Sequence, residues 1–139
     1  MNVVIIDGQG GLLGAQLVKE ITAQFKDINL TGIGTNAVAA AAMLKAGAKN
    51  VASGENPVVV ACRKADIIIG PIGIVIADSL LGEITEKMAL AISRADAVRI
   101  LIPLNKCENL VAGVSNLNMS ALIADALSKL NSVILSKNT

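Results

Sequence analysis

The residues best placed to do chemistry open the chain. In VVIIDGQGGLLG, residues 3–14, four apolar residues run straight into Gly8, Gly10, Gly11 and Gly14. Glycines after a strand let the backbone turn sharply and approach a phosphate, whose charge then meets free N–H groups at the next helix start. The spacing is G-x-G-x-x-x-G, one residue longer than the dinucleotide fingerprint G-x-G-x-x-G. Asp7 stands at the mouth of this turn, where a carboxylate repels phosphate. It can cap the turn by accepting backbone N–H bonds, bind a ligand hydroxyl or hold a cation. Capping is the favoured reading, and a metal role lacks carboxylate partners nearby in sequence unless Asp66 and Asp78 approach in space.

Two further turns belong with the first. Gly70-Pro71-Ile72-Gly73 follows an apolar strand directly, and Gly34-Thr35-Asn36 ends another. In a doubly wound sheet the chain reverses beside strand 1, and ligands bind in the crevice at the carboxyl ends of the strands there. The candidate ligand-binding set is therefore Asp7, Gly8, Gln9, Gly10, Gly11, Leu12 and Gly14 from the first turn, with Gly34, Thr35, Asn36, Gly70, Pro71, Ile72 and Gly73. One glycine turn would hold phosphate while the other lets a ribose or second ligand lie against backbone. An acid at the end of strand 2 normally grips the ribose 2′-OH of NAD, and an arginine there suits NADP. Gly34-Thr35-Asn36 offers neither, so NAD, NADP and other phosphorylated nucleotides all stay open.

Other polar positions have plainer readings. Glu55 and Asn56 lie in a carboxyl-edge loop, where Asn56 is expected to cap the helix that Pro57 opens. Asn105, Lys106 and Cys107 follow strand 5 on the same edge; Cys107 has no histidine to activate it and reads as a passive small residue. Cys62, Met43 and Met88 read as core.

These residues need elements to hold them in place. Strands are expected at residues 3–6, 28–33, 48–52, 67–69, 98–102 and 110–114. Helices are expected at 12–25, 37–46, 57–64, 74–81, 86–95 and 120–130, with SVIL at 132–135 as a minor strand. Asn36 can cap the alanine-rich second helix. Strands alternating with helices predict an α/β fold: a doubly wound, mainly parallel, Rossmann-like sheet of order 3-2-1-4-5-6 in a three-layer α/β/α single domain.

Composition narrows the function. Among 139 residues there is no His, Trp or Tyr and a single Phe, Phe25. Histidine-based acid–base and nucleophilic catalysis is excluded within one chain, as is nucleobase stacking on an aromatic platform. Two cysteines make no zinc cluster, and a net charge of +1 gives no nucleic-acid footprint. No metal is expected. The apolar fraction is 53% against 17% charged, more than buried parallel strands require. A self-associating face, with a homodimer favoured, would account for the rest. The apolar runs at 67–77 and 28–44 are too short or too interrupted to span a membrane, and Asp7 follows the start too closely for a signal peptide. A cytoplasmic protein is the expectation.

IDGQGG, GTNA with AMLKAGA, SGEN, ADIIIGPIGI, LGEIT and ILIPLNKC, in that order, resemble a small bacterial family catalogued only as a domain of unknown function. The likeness runs to about Val114 and is looser in the final helix. It implies a stand-alone Rossmann-like fold and brings no reaction or catalytic residue with it.

Three functions follow, in order. The first is a nucleotide- or dinucleotide-binding module without its own chemistry. The second is a small NAD(P)-dependent oxidoreductase whose pocket a second subunit completes, with Asp7, Glu55, Asn105 and Cys107 as candidates. The third is a self-assembling scaffold whose glycine turns are purely structural.

Overall fold

A computed structural model describes residues 1–104, 109–115 and 118–139. Five parallel strands form one sheet: β1 (Asn2–Asp7), β2 (Asn29–Gly34), β3 (Asn50–Ser53), β4 (Ile67–Pro71) and β5 (Val98–Ile102). Their order, β3-β2-β1-β4-β5, reverses between β1 and β4, as expected of a doubly wound sheet. Register sets the carboxyl ends together: Asp7 pairs with Gly34, Ile5 with Ile69, and Pro71 with Ile102.

Helices cover both faces because the central strands are apolar and buried through Val3–Ile6 and Ile67–Ile69. Alternate side chains of β1 go to opposite layers. Val3 and Ile5 join α1 (Leu12–Gln24), α2 (Ala37–Lys45) and α5 (Met119–Lys137), while Val4 and Ile6 join α3 (Glu55–Cys62) and α4 (Glu86–Arg94). Leu13, Leu17, Val18 and Ile21 form the buried stripe of α1. Met43 and Met88 are core, as expected. Side-chain caps fix three helix starts: Asn36 on the Ala39 amide, Thr85 on that of Met88 and Asn118 on that of Ala121.

Four local expectations are corrected. The helix expected at 74–81 is a single 3₁₀ turn, Ile72–Val75, followed by turns. Ile74 and Leu80 within that span, and Ile84 just after it, do bury, but as a loop folded onto the core. Asp78, Leu80, Leu81 and Gly82 all take positive φ, which no helix allows. No strand forms among the described residues of 110–114, where Leu110 is fully exposed and Gly113 has a φ of 84°. Val111 and Val114 are exposed as well, so the run stays off the sheet and does not extend it beside β5. SVIL continues α5, since neither Gly nor Pro interrupts the helix from Met119. Lastly, α3 starts one residue before Asn56, with Gly54 at its N-cap. Its φ of 110° is one that glycine alone adopts readily, so Asn56 has no capping role there.

Among the described residues one helix, α5, is long and apolar enough to cross a membrane by length and composition. Its residues Leu122, Ile123, Ala126, Leu127 and Leu130 are buried in the sheet's core.

Candidate functional site

The β1–α1 turn is built from backbone conformations that only a few residues tolerate. Gln9 and Gly11 sit in the left-handed region, at φ 50° and 74°. The Gly11 amide donates back to the Gly8 carbonyl at 3.0 Å. Packing explains most of the glycines. A Cβ on Gly8 would lie 2.6 Å from Thr35 Oγ1, one on Gly11 would lie 2.7 Å from Ala39 Cα, and one on Gly14 would lie 2.9 Å from the Asp7 Cβ. Gly10 differs, for a Cβ there would meet nothing within 4 Å. Space above bare backbone at the head of a helix is what a ligand phosphate needs.

Asp7 answers its own riddle. Its buried carboxylate accepts from the Gly8 amide at 2.8 Å and the Gly14 amide at 2.7 Å, one on each oxygen. It caps the turn from inside, as favoured. Burial pushes its pKa above the ordinary 3.8, the Gly14 and Gly8 amides pull the other way, and the nearby Glu83 charge adds to the rise. The amides of Gly10, Leu12 and Leu13 have no acceptor among the described residues, so the head of α1 keeps free donors.

Glu83 is the residue that sequence reasoning missed. It comes from the loop 76–85 after β4, yet its carboxylate lies against the β1–α1 turn and the end of β2. Oε1 accepts from Thr35 Oγ1 at 2.7 Å, Asn36 Nδ2 at 2.6 Å and the Gln9 amide at 3.0 Å. Among the described residues Oε2 has only the Gln9 amide, at 3.2 Å. Burial raises the Glu83 pKa, but hydrogen bonds from Thr35, Asn36 and the Gln9 amide outweigh it and hold the group below its ordinary 4.5. Thus the acid that β2 lacks at its own end is supplied by a loop from the other side of the crevice. The only signal in the sequence was LGEIT itself, an acid set between a glycine and an isoleucine.

The remaining candidates are divided. Thr35 and Asn36 converge on Glu83, and Asn36 also donates to the Gln9 carbonyl at 3.0 Å. Pro71 joins Asp7, the glycine turn, Leu80, Leu104 and Met119 around a recess of about 160 Å³. Gly70 is instead pressed against β1, where a Cβ would stand 2.3 Å from the Ile6 carbonyl oxygen. Gly73 is covered by Ser79, whose hydroxyl donates to its carbonyl; Ile72 is half-buried beside it. Glu55 is outside the cluster and accepts from Thr85 Oγ1 at 2.5 Å. Asp66 lies at the opposite, amino edge of the sheet, accepting from the Asn2 amide at 2.7 Å, so it does not approach Asp7. No group of three acidic or cysteine side chains suited to a metal occurs among the described residues. Burial pushes the Cys62 thiol up to about 11, against the opposing Arg99 charge, which leaves it inert at neutral pH. Asn105, Lys106 and Cys107 lie outside the described residues.

Fold and site together define a doubly wound parallel α/β protein with an elaborated β1–α1 turn at its switch point. The chain belongs to the family described as "Domain of unknown function (DUF3842)", which matches residues 2–135 and so takes in the final helix as well. No solved structure matches it.

Proposed function

We propose that this protein is a nucleotide-binding module that takes an unphosphorylated ribose diol, such as that of NAD, at Glu83 and a phosphate at the free amides of Gly10, Leu12 and Leu13. The observation that carries the reading is the Glu83 carboxylate. Three donors fix Oε1 at the end of β2, while Oε2 keeps lone pairs for a diol. A carboxylate next to a glycine turn at this point of the sheet favours ribose hydroxyls and repels a 2′-phosphate, which sets NAD above NADP. The open space at Gly10 supports the phosphate position. Asp7 serves as a strut for the turn, both its oxygens being taken by amides.

The recess of about 160 Å³ is smaller than the roughly 300 Å³ of a typical small-molecule site. Binding therefore turns the Leu80 side chain outward, so that the ligand replaces what it covers while Glu83 stays on its donors. Calorimetry and thermal shift against NAD, NADP, ATP and inorganic phosphate test the reading. At a hundredfold excess over Kd a ligand adds about 2.7 kcal/mol, or roughly 10 °C in Tm for a domain of this size. NAD should shift the protein further than NADP, Glu83→Gln should narrow that preference, and Gly10→Leu should abolish binding with an unchanged circular dichroism spectrum. A protein that no nucleotide stabilises at millimolar concentration has some other function.

A further inference from the structure

β5 closes the sheet on one side, and among the described residues no further strand pairs with its outer backbone groups. A sixth strand would lie beside it in the longer doubly wound order, yet the described residues after β5 add none. Natural edge strands are blunted by lysine, proline, a bulge or a covering element. The sequence of β5 is Val-Arg-Ile-Leu-Ile, with no lysine or proline within it. Its arginine is turned aside, because Arg99 Nη1 donates to the Ala95 carbonyl at 2.8 Å and the Ile92 carbonyl at 3.3 Å. Val98 is 39% exposed. Alongside this edge runs a groove of about 420 Å³ whose other wall is a single stripe of α5: Leu122, Asp125, Ala126, Lys129, Ser132 and Val133. The helix has a mean hydropathy of 1.2, but only 22% of its apolar window is buried.

We propose that β5 is the seam of a two-fold dimer of this chain, the two edge strands pairing antiparallel to join both sheets. Centred on Ile100, the pairing sets Val98 opposite the partner's Ile102 and Arg99 opposite the partner's Leu101. An antiparallel seam places the two-fold axis perpendicular to the sheet, so both α5 helices fall on the same face, side by side and antiparallel. Each presents the same stripe to the other, as an isologous contact requires. The charges on that stripe select a second copy as the occupant. Asp125 and Lys129 pair with each other one helical turn apart on the exposed stripe, and antiparallel helices let each also meet its opposite on the partner, Asp125 at the partner's Lys129 and Lys129 at the partner's Asp125. A surface of one sign would repel its own copy. A membrane is the poorer occupant, since the apolar residues of α5 already buried belong to the core and the groove stripe carries both charges.

Sedimentation equilibrium of the full chain tests the seam. The wild type should be a dimer, and amide exchange on residues 98–102 should slow as concentration rises through the dissociation constant. Asp125→Lys places like charges across the axis and should weaken the dimer about tenfold, as should Val98→Lys on the strand itself. The double swap Asp125→Lys with Lys129→Asp restores the reciprocal pairs and should recover the wild-type constant to within about threefold. A monomer at about 100 µM overturns the proposal. So does a dimer indifferent to both single changes, which would have its interface elsewhere, and so does a monomer that co-sediments with anionic phospholipid vesicles. Exchange on β5 needs no variant, so it decides the matter even where a substitution disturbs folding.

Discussion

The two glycine turns that flank the crevice are written in similar residues and built for opposite purposes. In the first, Gly8, Gly11 and Gly14 make room for neighbouring elements, while Gly10 leaves a gap that nothing fills. The turn is held open by carboxylates reaching in from both sides, Asp7 from beneath and Glu83 from above. In the second, Gly70 exists so that β4 can approach β1, and Gly73 is sealed by Ser79 and Leu80. One glycine marks a space and the other marks a contact. The residue type is the same, and only the neighbours tell them apart.

The largest test of that contrast is a pair of alanines. Gly70→Ala forces a Cβ to within 2.3 Å of a backbone oxygen that cannot move aside, and should cost about 3 kcal/mol in urea unfolding. Gly10→Ala should stay within about 0.5 kcal/mol of wild type. Equal costs at the two positions would erase the distinction between the turns.

A smaller effect is expected at the strut. Asp7→Asn leaves one buried amide facing an NH₂ group and should cost about 2 kcal/mol at neutral pH. Its pH dependence runs opposite to that of Glu83. The folded pKa of Asp7 is raised, so its ionisation opposes folding: stability from this group is full below 3.8 and falls as pH rises through the folded value. The gap between wild type and Asp7→Asn should therefore widen on acidification. The folded pKa of Glu83 is lowered, so its contribution is full above 4.5 and is lost as pH falls through the folded value. Glu83→Gln should remove that acid-side loss. Denaturant midpoints measured across the acid range separate the two.

The smallest change concerns the loop that carries Glu83. Leu81 is 92% exposed and sits at φ 57°, so its side chain gains nothing from a conformation that burdens it. Leu81→Gly should raise stability by about 1 kcal/mol, read as a shift in Tm. A loss instead would mean that the side chain has a partner in a larger assembly.

Much of this was legible in advance because it depends on short-range pattern. Short, mainly apolar stretches ended by glycine or proline marked β1, β2, β4 and β5, and Asn36, just before Ala37, announced its helix by capping the Ala39 amide. The pattern failed where burial imitated periodicity. Ile74 and Leu80 bury without forming a helix, and Leu110 to Val114 form an apolar run that stays exposed and pairs with no strand. Asn56 lost its cap to a glycine two positions earlier, whose freedom at φ 110° outweighed a side-chain preference.

By itself, then, the sequence determined a parallel α/β sheet, its reversal beside β1, and a glycine turn capped by Asp7, all through interactions spanning a few residues or one repeated unit. Tertiary structure alone decided what faces that turn. Glu83 lies 74 residues from Gln9 and 48 from Thr35, and only the folding back of the loop after β4 brings its charge to their donors. The same holds for the open edge of β5, since a missing neighbour is a property of the sheet and leaves no mark in the strand. Local chemistry chooses the elements, whereas the meeting of distant groups depends on where the whole chain can bury its apolar surface.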